Sequence, residues 1–77
     1  MDKLLKAVHE IFNEKGITNP DYRIKLLNKE IIGNSDWAFI EIDIYRPHKK
    51  KPCQYRKLAV NFVRNIIDFD KSIFINY

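Results

Sequence analysis

The chain has 77 residues, 14 Lys+Arg against 10 Asp+Glu, a formal net charge of +4 and a single cysteine. Such a length specifies one small domain spanning 1–77, with little core to enclose an active site, and the 45% hydrophobic content argues against disorder. The lone Cys53 excludes an internal disulfide, no apolar run reaches the ~18 residues of a membrane span, and the Met1-Asp2-Lys3 start carries no secretory pattern, so a cytoplasmic location is expected.

In chain order, the first predicted element is a helix from Asp2 to Lys15. Leu4, Leu5, Val8, Ile11 and Phe12 recur at the 3.6-residue period, Asp2 can cap the start, and Gly16 sits where a left-handed terminating residue belongs. Thr18-Asn19-Pro20-Asp21 reads as a turn. A strand follows from Tyr22 to Ile32. Its alternation changes phase after Leu26, which predicts a β-bulge near Leu27-Asn28. Gly33 to Asp36 closes a hairpin onto a second strand, Trp37 to Arg46. There Ala38, Ile40, Ile42 and Ile44 share one face, and Trp37, Phe39, Glu41, Asp43 and Tyr45 share the other.

Pro47 and Pro52 bracket a loop. Beyond it Tyr55, Leu58, Ala59, Phe62, Val63 and Ile66 fall at helical spacing and predict a second helix to Ile67. The alternation Leu58, Val60, Phe62 also fits a strand. Asp68 to Lys71 reads as a turn before a last strand, Ser72 to Tyr77. The expected fold is therefore α+β, in the order α-β-β-α-β, with an antiparallel sheet and two helices packed on one face. That order is shared with type II KH domains. Residues 47–52 lack the Gly-x-x-Gly of that family, so no binding residue carries over.

Little in the chain supports catalysis. Nucleophilic chemistry needs a nucleophile, a base and an orienting group together, and the chain offers only His9 and His48 beside Cys53, Thr18, Ser35 and Ser72. A zinc site needs about four closely spaced ligands, and His9, His48 and Cys53 are scattered. Asp36, Glu41 and Asp43 resemble part of a metal-dependent nuclease motif, but Asp43 stands where such sites place a lysine. No glycine-rich phosphate loop is present. The expectation is a protein that is not an enzyme and needs no cofactor or metal.

The charge distribution is more informative. Residues 46–57 hold Arg46, Lys49, Lys50, Lys51, Arg56 and Lys57 and no acid, which leaves eight basic residues against all ten acids elsewhere. The excess is one segment on a mildly acidic body. Placed before and within the first turns of a second helix, it would join lysines to the free N–H groups of a helix N-terminus and form an anion site. His48, Tyr45 and Tyr55 flank it and could stack on bases. The expected function is nucleic-acid binding, RNA ahead of DNA, through Arg46, His48, Lys49, Lys50, Lys51, Tyr55, Arg56 and Lys57. The alternative is a protein-interaction module, of the kind encoded by phages and mobile elements, using Trp37, Phe39 and Tyr45 on an open sheet face. A homodimer through that face or an edge strand is a further option. No membrane partner is expected.

Overall fold

A computed structural model describes residues 3–16, 19 and 21–77. The elements are α1 (Lys3–Lys15), β1 (Arg23–Ile31), β2 (Trp37–Tyr45), β3 (Gln54–Asn61) and β4 (Ile66–Asn76). The strands form one antiparallel sheet in the order β1-β2-β3-β4, so each pairs with its neighbour in sequence.

The apolar stripe of α1 lies on one face of this sheet. Val8, Ile11 and Phe12 pack with Ala38, Ile40, Ile42 and Ile44 of β2, Leu58 and Val60 of β3, and Ile67 of β4. Leu5, Ile24 and Leu26 close the margins. The helix ends as its sequence requires, with Gly16 at φ +63° and its N–H donating to the Asn13 carbonyl at 3.4 Å. The Asp2 cap and, in the turn at 18–21, Thr18 and Pro20 lie outside the described residues; the Asp21 N–H donates to Asn19 Oδ1 at 2.9 Å.

The register of β1 against β2 shifts between Leu26 and Asn28, which is the bulge predicted from the phase change. The second strand also stands where the alternation placed it, and its burial alternates strictly along its length.

The prediction of two helices on a sheet is overturned. Residues 54–61 form the third strand, paired with β2 from Trp37↔Asn61 to Ile44↔Gln54. Among the described residues the fold is mostly β, with one helix and a four-stranded meander, and the order shared with KH domains is lost. The helical spacing arose because apolar side chains occupy both faces of β3. Leu58 and Val60 point to α1, while Ala59 is equally buried on the opposite face, across from Phe39. The supposed helix end is a turn. The Asn61 side-chain oxygen accepts from the N–H groups of Val63 (3.1 Å) and Arg64 (2.9 Å), and Asn65 adopts φ +56°.

The expected turn at 68–71 is instead a bulge within β4. Pairing with β3 runs from Ile66 to Asp68, is interrupted, and resumes at Ile73↔Lys57. Ser72 holds the bulge: its hydroxyl donates to the Asp68 carbonyl at 2.7 Å and accepts from the Ala59 N–H at 3.2 Å. The last strand thus begins at Ile66, not at Ser72.

Candidate anion site at the β2–β3 loop

Hairpin geometry places the basic residues. The loop between β2 and β3 starts as a turn in which the Lys49 N–H donates to the Arg46 carbonyl at 3.2 Å. Pro47 supplies the fixed φ of its second position, and His48 takes φ +63° at the third. Its far end is pinned by Cys53, whose N–H donates to the Ile44 carbonyl at 2.8 Å. Lys49, Lys50 and Lys51 are left exposed on the loop.

Antiparallel pairing then adds two cations that the linear sequence keeps far away. The register sets Arg23 opposite Tyr45 and Lys25 opposite Asp43, so the start of β1 lies beside the loop. Arg23 donates from Nη2 to the Lys49 carbonyl, and its guanidinium carbon lies 5.3 Å from the centre of the Tyr45 ring. It therefore ties the loop to the sheet. Between them is an open cleft of about 1080 Å³, lined by Asp21, Arg23, Ile24, Lys25, Tyr45, Pro47, His48, Lys49 and Lys50. A second depression of about 340 Å³ is lined by Arg46, Lys49, Lys50, Lys51 and Cys53. Lys49 and Lys50 line both, forming a basic ridge between two hollows.

Five of the eight candidate residues are thereby brought together: Arg46, His48, Lys49, Lys50 and Lys51. The other three are not. With β3 in place of a helix there is no helix N-terminus here, and the charge and stacking roles assigned to Tyr55, Arg56 and Lys57 must be corrected. Lys57 points to the open face of the sheet, where its ammonium lies 4.0 Å from Glu41 and 6.0 Å from the Phe39 ring centre. Tyr55 projects from the same face, across from Asp43.

Arg56 points the opposite way, into the α1 side of the sheet, and is only 5% exposed. Its Nη1 donates to the carbonyls of Tyr55 (2.9 Å) and Ile75 (3.0 Å), its Nη2 to Asn76 Oδ1 (3.3 Å), and the guanidinium lies 4.6 Å from the Phe74 ring centre. Nε has no hydrogen-bond partner, and burial lowers the pKa of the group while Cys53 acts in the other direction. A desolvated charge held mainly by carbonyls is structural and poorly compensated. Arg56→Met should therefore leave stability within about 1 kcal/mol of wild type, or raise it, in urea denaturation. It should leave nucleic-acid affinity unchanged, whereas a tenfold loss would restore Arg56 to the site.

Trp37, Phe39 and Tyr45 do share the open face of β2, but two different hollows divide them. Tyr45 lines the basic cleft, whereas Trp37 and Phe39 line a pocket of about 280 Å³ with Ile32, Ser35, Ala59, Asp68 and Lys71. Between these ends, burial and then Glu41, Tyr77 and Asp43 raise the pKa of the Tyr55 phenol from its ordinary 10.0. Partial desolvation, followed by Asp43, raises that of the largely exposed Tyr77, whose hydroxyl lies 3.5 Å from Asp43 Oδ1. The folded state thus favours both neutral phenols. Their contribution is complete below the unfolded value near 10 and is lost as pH rises through the higher folded values. Urea midpoints should fall between pH 9.5 and about pH 11, and the Tyr55→Phe, Tyr77→Phe double variant should flatten that fall.

Arg23 and Lys25 were absent from the linear reading, although a signal for them existed. Alternation in the first strand puts both on one face, and a hairpin must bring its start beside the end of the second strand. Among the described residues no group of three His, Cys, Asp or Glu could hold a metal ion, and no helix is long and apolar enough to cross a membrane. No protein-family model, curated protein or solved structure matches the chain.

Proposed function

We propose that the protein is a non-catalytic nucleic-acid-binding domain that grips the sugar-phosphate backbone in the cleft between the start of β1 and the β2–β3 loop. The observation that carries this reading is the convergence of Arg23, Lys25, His48, Lys49 and Lys50 around one open cleft, with Asp21 the only acid among the described residues that line it. An open cleft with exposed lysines suits an extended chain of phosphates better than a compact anion, which favours enclosure. Tyr45 in its lining gives an unpaired base a ring to stack on, which supports single-stranded RNA over duplex DNA. Phosphate contacts come from side chains alone, so the binding is graded by charge and carries little sequence preference.

Fluorescence anisotropy with a labelled single-stranded RNA of about 20 nucleotides tests the proposal. Binding should be evident at 50 mM salt and weaken steeply toward 200 mM. No binding at 50 mM salt would refute it. The pocket bearing Trp37 and Phe39 favours a second reading, in which that end of the open face receives an apolar side chain of a protein partner. Trp37→Ala would then abolish capture of the partner and leave RNA affinity unchanged.

A further inference from the structure

The two edges of the sheet are guarded unequally. β1 carries Arg23, Lys25, Lys29 and Glu30, and charge along an edge discourages pairing with another chain. On β4, Asp68, Asp70, Lys71 and the bulge guard only the first part of the strand, and residues 72–76 read Ser-Ile-Phe-Ile-Asn and carry no charge. Ile73, Phe74 and Ile75 are 51%, 41% and 44% exposed, so the edge is apolar on both faces of the sheet. Beyond β4 the sheet has no further strand among the described residues.

The phase of the ladder decides which backbone groups face outward. The Tyr77 N–H donates to the Cys53 carbonyl at 3.0 Å, and Ile75 stands opposite Tyr55. In an antiparallel ladder, hydrogen-bonded and outward-facing residues alternate. Odd-numbered residues here bond to β3, and Phe74 and Asn76 present N–H and C=O to the open edge. A second copy related by a two-fold axis normal to the sheet can meet this edge only where residues of the same face stand opposite each other.

Centring the axis on Phe74 meets both conditions. Phe74 faces Phe74 of the other copy and exchanges both hydrogen bonds with it. Ile73 faces Ile75 on the open side, and Ser72 faces Asn76 on the α1 side. Lys71 faces Tyr77, so no like charges are opposed.

We infer that the protein forms a homodimer by antiparallel β4–β4 pairing centred on Phe74, giving a continuous eight-stranded sheet. The contact lies at the edge opposite the basic cleft and is independent of nucleic-acid binding. Seven paired residues a side, 71–77, are few against the ~800 Å² per partner of a standard interface, so the dissociation constant should be in the micromolar range.

Sedimentation equilibrium from about 1 to 500 µM tests this, without nucleic acid. The mass should rise from 9.3 kDa toward twice that value. Ile73→Lys with Ile75→Lys sets lysine against lysine and should hold the protein monomeric with an unchanged circular dichroism spectrum. Ile73→Glu with Ile75→Glu should do the same, and an equal mixture of the two variants should restore the dimer. A wild-type mass fixed at 9.3 kDa up to 500 µM, or a lysine variant that dimerises like wild type, overturns the inference. Should the variants fail to fold, hydrogen exchange in the wild type decides: the Phe74 amide should lose protection on dilution, and a concentration-independent rate counts against the dimer.

Discussion

Alanine at Lys49, Lys50 and Lys51 together should weaken binding to a single-stranded RNA by roughly 10²–10³-fold at 50 mM salt. The estimate follows from counterion release. Each phosphate neutralised on a single strand contributes a salt slope of about −0.7, or roughly tenfold in affinity at 50 mM salt. Arg23, Lys25, Arg46, Lys49, Lys50 and Lys51 together give a slope near −4, and removing the three lysines should bring it to about −2. The slope is the decisive readout, because a merely misfolded loop would lower affinity without halving it in this way. Equal slopes for variant and wild type would rule out contact between these lysines and phosphate. The fold should survive, since all three side chains are exposed and none enters the core.

Phe12→Ala has the largest expected effect on the fold itself. Phe12 is fully buried in the core cluster that α1 forms with the sheet, and truncating a buried phenylalanine costs about 3–5 kcal/mol. At about 0.05–0.15 kcal/mol per residue, a chain of this size has only ~4–12 kcal/mol in all. α1 is the only helix among the described residues, so no second one shares the work of covering the α1 side of the sheet. Thermal denaturation followed by circular dichroism should show a midpoint at least ~12 °C lower, or no cooperative transition at all. A shift below ~4 °C would mean that α1 does not pack through Phe12. Val63→Ala, at an exposed position in the turn after β3, serves as the control and should cost less than ~1 kcal/mol.

The elements legible in the sequence are those whose faces differ cleanly. α1 and β2 each bury one uninterrupted apolar set, and their periods of 3.6 and two leave no competing reading. β3 was misread because its α1-facing set begins with Gln54 and Arg56, a polar and a charged residue where alternation calls for apolar ones. Its open face, in turn, buries Ala59. Both features depend on neighbours remote in sequence: Arg56 is satisfied by carbonyls and an amide of β4, and Ala59 is covered opposite Phe39. The candidate site divides the same way. Three consecutive lysines between two prolines are plain in one dimension. Arg23 and Lys25 join them only through strand register; Arg56 leaves because alternation turns it to the α1 side, and Lys57 because the register sets it further along the open face, opposite Glu41.

The meander also shapes the route by which the chain folds. The longest connection between paired strands is the eight-residue segment 46–53, so no large loop must close before a ladder can form. Only α1 depends on distant chain, since Phe12 belongs to a core cluster that includes residues of three strands. Hairpin growth before helix docking is the order this connectivity predicts. Substitutions along α1 should act chiefly by raising the unfolding rate, whereas those in the turns at 32–36 and 46–53 should slow folding. The lysines of the second turn repel one another while it closes, so a bound polyanion would assist the chain before any cleft exists to receive it.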